Sequence, residues 1–290
     1  MPFYRFGDMM FLEKIASKDF ETFIMDNFKR YHMFNFKNLV YLLFAVSALI
    51  SGCNSLKEKN TSEKIPDGFV YLSDISPSII QEMRYATPHN FIGKAIPGYT
   101  KAKCILTTEA AKALASVQEE LIQYSMSLKV YDCYRPQEAV DAFVNWAKDL
   151  NDNKMKAEFY PNVEKSNLFR DGYIAEKSGH SRGSTADLTI VRLPAAPQSE
   201  YHPANKLKAC YLPASQRFLD NSLDFGTGFD CFDLLAHTAN PEITSEQKQN
   251  RLMLKSLMEK NGFKNLKEEW WHFTLKDEPF PNTYFNFKIQ

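Results

Sequence analysis

The sequence predicts a single compact α+β domain in which a central, mainly antiparallel sheet is flanked by helices. Segments with helical spacing alternate with short β-rich segments, without the regular strand–helix–strand rhythm of a parallel sheet. From 66 to 290 there is no repeat, no low-complexity tract and no second linker. Of the 290 residues 44% are hydrophobic, which is enough for the core of one such domain.

The first predicted elements form a helix, a strand and a second helix. Thr107 and Thr108 offer an N-cap to a helix whose apolar residues recur near helical spacing up to Ile122. The β-rich stretch 129–134 predicts a strand. Pro136 follows at once and suits the first position of the next helix.

The second half of the domain continues with two strands and one long helix. Residues 185–193 alternate in polarity, as a strand does. The segment from Ser245 to Asn261 predicts a helix, which Gly262 closes in the C′ position. By composition, 271–275 is a further strand.

The charge balance excludes one class of partner. The chain has 35 Lys and Arg against 35 Asp and Glu, and it contains no basic block. Because binding to phosphates needs a clustered excess of Lys and Arg, we expect no nucleic-acid partner. A small or neutral partner fits better.

The N-terminal residues predict export and a lipid anchor. The apolar run from Leu39 to Ile50 is too short to cross a hydrocarbon core of ~30 Å, but it fits the central region of a signal peptide. The following Ile-Ser-Gly-Cys tetrad is typical of a lipobox, in which Cys53 becomes the lipidated N-terminus. A buried helix followed by an ordinary cysteine is the alternative. We expect translation to start at Met33, which makes 1–32 an upstream extension that is not part of the protein. A lipoprotein signal peptide then occupies 33–52, a flexible tether occupies 53–65, and the domain occupies 66–290.

Two segments place metal-ligating residue types beside turns. His180 lies in a glycine-flanked turn and Asp187 at the start of the next strand, so a hairpin-like return brings an imidazole and a carboxylate together. Glu269 and His272 stand among aromatic residues, which raise the pKa of a carboxyl group and shield a metal. Two His and one Asp are the ligands of a catalytic zinc site that keeps a position for water, and the free Glu is the base that a hydrolase needs. Either segment alone is more typical of an ordinary core or turn.

A third segment places an arginine at a strand-to-helix turn. The always-charged guanidinium of Arg135 suits a developing oxyanion or a substrate carboxylate. A surface turn with a salt bridge to Asp132 or Glu138 is the alternative for this segment alone.

These three segments resemble the signature segments of the zinc D-alanyl-D-alanine dipeptidases. The segments read SGHSRGSTADLTI from Ser178, EEWWHF from Glu268 and DCYRPQEAVDAFVNWA from Asp132. The similarity continues through MRYATPHNFIGKAIPGY and GTGFD and extends from about Phe69 to the C-terminus. The resemblance implies a zinc peptidase domain with one Zn²⁺ per chain, which hydrolyses the D-alanyl-D-alanine dipeptide to D-alanine in cell-wall metabolism.

The resemblance also implies a role for each matching residue. It implies that His180, Asp187 and His272 bind zinc. It makes Glu269 the general base and acid, and it makes Arg135 the residue that stabilises the tetrahedral intermediate.

The substrate pocket follows from the same resemblance. Tyr85, Ser178 and Asp230 match positions that line the family's small pocket, where Asp230 would receive the free ammonium of a dipeptide. One departure is the stretch 194–223, which is longer than in compact members of the family. We expect it to form a lid or a rim, which would either narrow the pocket or rebuild it for longer peptides.

The cysteines allow disulfides if the protein is exported. Four remain besides Cys53, and four cysteines permit three connectivities. We favour a bond between Cys210, in the long stretch, and Cys231, which directly follows the pocket acid. Cys104 and Cys133 are then either a second pair or buried free thiols.

Three functions remain in competition at this point. The leading one is a periplasmic, lipid-anchored dipeptidase that acts on a small zwitterionic dipeptide and needs no obligate protein partner. A D,D-carboxypeptidase or peptidoglycan endopeptidase would share the zinc site but would need an open groove. A non-catalytic lipoprotein that binds wall peptides is disfavoured, because the presumed ligands, base and arginine are all present.

Overall fold

The computed structural model describes residues 64–290, in which we find seven strands and five α-helices. The strands are β1 (Phe69–Tyr71), β2 (Ile80–Gln81), β3 (Ile105–Thr107), β4 (Met126–Asp132), β5 (Thr185–Arg192), β6 (Phe263–Asn265) and β7 (His272–Leu275). The α-helices are α1 (Leu72–Ile75), α2 (Thr108–Ile122), α3 (Gln137–Lys148), α4 (Lys156–Phe159) and α5 (Ser245–Lys260). The predicted signal peptide and Cys53 lie outside the described residues.

The central sheet has five strands in the order β2-β4-β5-β7-β6. Only the β2–β4 pairing is parallel, and the other three pairings in this sheet are antiparallel. This confirms the predicted α+β class with a mainly antiparallel sheet. Strands β4 and β5 are buried almost throughout, as expected for strands that are covered on both faces. Strands β1 and β3 form a separate antiparallel pair.

Two capped helices pack on the sheet. In α2 the hydroxyl of Thr107 accepts a hydrogen bond from the amide of Ala110, as the sequence predicts. Helix α5 begins with a capping box between Thr244 and Gln247, and Gly262 follows its end with a φ of 90°. Helix α2 contacts β4, α5 contacts β6, and the two helices contact each other. Within residues 64–290, no helix combines the length and the apolar character that crossing a membrane requires.

The segment around Pro136 differs from the prediction by a few residues. The strand occupies Met126–Asp132 rather than 129–134: a bulge after Val130 shifts the register with β5, and Asp132 is the last paired residue of β4. Pro136 is the N-cap rather than the first helical residue. Its φ of −55° fits either position, but its ψ of 146° is extended.

Residues 64–290 contain two disulfides. One joins Cys210 to Cys231, and the other joins Cys104 to Cys133, with Cα–Cα distances of 5.5 and 5.3 Å. The stretch 194–223 contains neither a helix nor a strand, and it is bonded to the rest of the domain through Cys210.

Candidate active site

The sheet register brings three polar side chains together at one end of three neighbouring strands. Asp132 on β4 is opposite Asp187 on β5, and Asp187 is opposite His272 on β7. The three residues therefore lie side by side near one end of the three middle strands of the sheet.

A tight turn brings His180 to the same point. The chain makes a short 3-10 helix over Gly179–Arg182 and returns into β5 through Gly183. Gly183 has a φ of 84°, and a Cβ atom there would collide with the ring of Phe69. Only glycine satisfies both conditions, which explains the glycine in this turn. The turn places His180 above Asp187, so the predicted hairpin-like return is present.

The donor atoms of His180, Asp187 and His272 converge. One donor atom from each side chain lies within 4.8 Å of the other two. Nε2 of His180 is 3.3 Å from Oδ2 of Asp187, and Nδ1 of His272 is 3.0 Å from Oδ1 of Asp187. His180 and Asp187 are buried, and His272 faces the cavity. This is the set that the sequence predicts as metal ligands.

The state of His180 shows that these residues fit a metal cation. Its Nδ1 lies 2.7 Å from the carbonyl oxygen of Cys133, and this oxygen can only accept, so Nδ1 carries the proton. Burial lowers the pKa of His180, which favours the neutral ring with a lone pair on Nε2. That Nε2 is buried, has no hydrogen-bond partner among the described residues and faces a carboxylate oxygen of Asp187. A cation bound to both atoms would satisfy them, and two imidazoles with one carboxylate suit zinc.

Electrostatics favour the charged form of the ligand carboxylate. Burial alone would raise the pKa of Asp187, but the imidazoles of His180 and His272 outweigh it and hold the pKa below its ordinary value. The anion that a metal needs is therefore present at neutral pH.

Glu269 lies beside the ligands without being one of them. Its Oε2 is 3.4 Å from Nδ1 of His272, and its side chain is 22% exposed toward the cavity. Burial and the negative charge of Asp187 together raise the pKa of Glu269 to about 7, against the attraction of His272. A carboxyl group with this pKa can take up and release a proton near neutral pH.

Arg135 points into the site and is held there by Asp132. Its Nε donates to Oδ2 of Asp132 over 2.9 Å, and its guanidinium lies 4.9 Å from the centre of the Tyr85 ring. A second nitrogen is 3.6 Å from Asp187. The sequence also allowed a salt bridge between Arg135 and Asp132 in a surface turn. This salt bridge is present, but it lies inside the site and fixes the direction of the guanidinium.

A cavity of about 220 Å³ opens beside these groups. Tyr85, Ser178 and Asp230 all line it, as do Arg135 and Glu269. The hydroxyl of Tyr85 donates to Asp230 over 2.7 Å, and both side chains are buried. Burial and nearby acids, above all Asp187, raise the pKa of Asp230 well above its ordinary value.

The hydroxyl of Ser178 accepts a hydrogen bond from the amide of His180 and caps the turn.

Sequence reasoning did not identify several residues of the site. Asp132 is fully buried, accepts a hydrogen bond from the hydroxyl of Tyr99 over 2.7 Å and holds Arg135. The sequence suggested it only as a salt-bridge partner of Arg135 in a surface turn. Its position three residues before Arg135 at the end of a strand was the available signal. Other lining residues are Phe143, Tyr173 and Lys177, whose contribution depends on the fold and carries no local pattern.

Comparison with known proteins now gives the family. Residues 66–196 and 215–290 match the family described as D-Ala-D-Ala dipeptidase. The chain belongs to this dipeptidase family. The D-alanyl-D-alanine dipeptidase of Enterococcus faecalis is 36% identical over 225 residues, which are 77% of this chain and 98% of the relative. The D-alanyl-D-alanine dipeptidase of Streptomyces coelicolor is 35% identical over 76% of this chain and 98% of the relative. That of Escherichia coli is 30% identical over 71% and 83%.

Family membership confirms the resemblance inferred from the sequence, and the chain is a metallodipeptidase of this family. The dipeptidase match does not include 197–214, which lies within the long stretch. In contrast to the expected lid or rim, no residue of 194–223 is among those that line the active-site cavity. The stretch lies behind one wall of the cavity instead.

Proposed function

We propose that this dipeptidase hydrolyses the D-alanyl-D-alanine dipeptide to D-alanine, with one zinc ion held by His180, Asp187 and His272. The observation that carries the proposal is the convergence of these three donors beside Glu269, at a small cavity. The names of the relatives support the substrate.

Glu269 is the proton carrier in this proposal. When zinc is bound, it supplies a Lewis acid that polarises the peptide carbonyl and acidifies water. Glu269 takes a proton from the attacking water and delivers it to the departing amine. Its position next to His272 and its pKa of about 7 suit both transfers.

Arg135 stabilises the negative charge that develops on the carbonyl oxygen. Its guanidinium is fixed by Asp132 and by the ring of Tyr85 before substrate arrives, so little reorganisation is needed. Asp132 acts through Arg135 and is a positioning residue.

The cavity favours a short peptide. Its volume of about 220 Å³ is below the range of roughly 300–1,000 Å³ that is usual for sites of drug-sized ligands. The carboxyl group of Asp230, supported by Tyr85, is the acceptor we assign to the dipeptide ammonium. A carboxypeptidase or endopeptidase acting on a wall peptide would need a longer groove.

We also propose that the protein is an exported, periplasmic lipoprotein anchored through Cys53. Two disulfides support an oxidising compartment, and the lipobox-like sequence supports the anchor. In cells given radiolabelled palmitate, the wild-type protein should be labelled and should sediment with membranes. Cys53→Ser should abolish the labelling, and labelling that persists in this variant would contradict the assignment.

The test of the reaction compares substrates. The purified protein should release D-alanine from D-alanyl-D-alanine much faster than from the L,L-dipeptide or from a pentapeptide stem that ends in D-alanyl-D-alanine. Faster cleavage of the stem would identify a carboxypeptidase instead. Binding without cleavage of any of the three would indicate the non-catalytic alternative.

A further inference from the structure

One wall of the active-site cavity is formed by the chain that carries Asp230. Both Asp230 and Phe232 line the cavity, and the ring of Phe232 stacks on Tyr173, another lining residue, with ring centres 4.9 Å apart. Asp230 has a φ of 55°, a left-handed conformation that is uncommon for a residue other than glycine. A backbone in this conformation persists only when the surrounding structure holds it.

The surrounding structure here is Cys210 together with helix α4. Cys231, directly after Asp230, is bonded to Cys210, and the carbonyl of Cys210 accepts from the amide of Gly228 over 2.8 Å. The amide of Cys210 in turn donates to the carbonyl of Glu158 over 2.9 Å. The wall is therefore fixed to Cys210 on both sides of Asp230.

The stretch that carries Cys210 is itself attached to the body of the domain. The ring of Tyr201 stacks on His89 with ring centres 4.3 Å apart, and His89 is paired with Glu158 over 2.7 Å. Further along, Asp220 accepts a hydrogen bond from the hydroxyl of Tyr131. Because the stretch is attached to the domain both before and after Cys210, Cys210 has a fixed position and can restrain the wall.

Two of the supporting residues, Tyr201 and Cys210, lie outside the part of the chain that matches the dipeptidase family. The match omits 197–214, which contains both Tyr201 and Cys210. No residue of 197–214 lines the active-site cavity, so we expect these residues to affect the reaction through the wall that they hold.

We propose that Cys210, through its disulfide to Cys231, is a positioning residue that fixes Asp230 for the ammonium group of the substrate. The segment 197–214 is then a brace: it lies behind the part of the pocket that binds the ammonium group of the substrate. The identity of the substrate rests on the function proposed above, whereas the existence of the brace does not.

The kinetic test uses the double variant Cys210→Ser/Cys231→Ser of the full chain. The KM for D-alanyl-D-alanine should rise about tenfold or more, since small misplacements of a binding group have effects of this size. The kcat and the zinc content should stay within about twofold of the wild type, because the metal ligands, Glu269 and Arg135 are untouched.

A second readout separates positioning from a general loss of packing. Inhibition by a non-cleaved analogue with a free amino group is compared with inhibition by its N-acetylated form. The wild type should prefer the free amine, and the double variant should lose most of this preference. An equal loss of affinity for both analogues would overturn the positioning role.

Hydrogen exchange tests the brace without reference to turnover. The amides of Gly228 and Phe232, which donate to Cys210 and Phe159, should exchange faster in the double variant. In the matched control Cys104→Ser/Cys133→Ser, exchange at these two amides should not change. Unchanged exchange in the Cys210→Ser/Cys231→Ser protein would overturn the proposal. If the wild type does not cleave the dipeptide, the proposed function fails, while this measurement still decides whether the brace exists.

Should the double variant not fold, Tyr201→Leu offers a milder test. It keeps the disulfide but removes the stacking on His89. We expect a smaller loss of the preference for the free amine, in the same direction, and an unchanged preference would again contradict the brace.

Discussion

Glu269 is the side chain whose removal should separate metal binding from turnover. It lines the cavity beside His272 and is not one of the three proposed metal ligands. Glu269→Gln should lower kcat by about 10²–10⁴-fold, because the amide cannot carry the proton, and it should retain zinc. Zinc content and D-alanine release measured on the same sample check both parts.

The neighbour Glu268 provides the matched control. Its side chain is 41% exposed and lies 3.4 Å from the ammonium of Lys267. Glu268→Gln should keep activity within about twofold of the wild type. Full activity in Glu269→Gln, or equal losses in the two variants, would refute the role of Glu269.

Arg135 should affect turnover more than substrate affinity. Arg135→Lys keeps a positive charge but loses the guanidinium that binds Asp132 and that, in the proposed mechanism, stabilises the substrate carbonyl oxygen. We expect kcat to fall by about 10²–10³-fold, the usual effect of removing one such donor, with a smaller change in KM. Steady-state kinetics check this, and a change confined to KM would contradict the assigned role.

The ligands and the base could be predicted because two segments with metal-ligating residue types occur together and resemble the family's signature segments; either segment alone is more typical of an ordinary core or turn. The structure brings His180, Asp187, Glu269 and His272 together. The spacing of Asp132 and Arg135 allows a salt bridge, but the burial of Asp132 depends on the packing of three strands and on Tyr99, which the local sequence does not show.

At the scale of elements, the entry into β5 depends on the glycine of the turn. Gly183→Ala would place a methyl group against the ring of Phe69 in a left-handed conformation. We expect the free energy of unfolding to fall by at least about 2 kcal/mol. Zinc affinity should fall as well, because His180 belongs to the same turn. Urea unfolding and zinc titration measure the two effects.

Gly172 is a suitable control for this substitution. It has a similar φ of 81°, but no atom in the described part of the chain lies within 4 Å of the position of a Cβ. Gly172→Ala therefore carries only the conformational cost of about 1 kcal/mol. Equal destabilisation by the two substitutions would show that the contact with Phe69 does not matter.

Helices were easier to predict than strands. The N-cap at Thr107 and the glycine at 262 are local signals, and they lie at or next to the observed helix ends. The limits of β4 depend instead on its pairing with β5 and on a bulge, neither of which has a signal in the strand's own sequence.

Asp220 connects the stretch 194–223 to the central sheet. It accepts from Tyr131 over 2.5 Å and lies 3.9 Å from Arg84, and Lys129 donates to its backbone carbonyl. Burial would raise the pKa of Asp220, but Lys129 and Arg84 outweigh it and lower the pKa below the ordinary 3.8.

This shift predicts how stability responds to acid. Since the pKa is lower in the folded state, the stabilisation by Asp220 is present above the unfolded pKa and is lost as the pH falls through the folded pKa. Asp220→Asn should lower the free energy of unfolding by about 3 kcal/mol at pH 7 and flatten its decline below pH 4. Urea unfolding at several pH values checks this, with the exposed Asp277→Asn as control. An unchanged acid dependence would contradict the role of Asp220.

The sequence sufficed for the α+β class and the family, because the matching segments are distributed over the whole domain. The placement of 194–223 could not be predicted. The bond between Cys210 and Cys231 could be proposed from the sequence, but the contacts of the stretch with His89 and Tyr131 are distant in the chain. An irregular stretch also has no periodicity from which its position could be inferred.

One zinc ion at His180, Asp187 and His272 should support hydrolysis of the dipeptide. The most direct measurement is D-alanine release from D-alanyl-D-alanine by metal-stripped protein during titration with zinc. We expect no release without metal and a rate that reaches its maximum at one zinc per chain. A rate independent of zinc, or no release of D-alanine at any zinc concentration, would contradict this assignment.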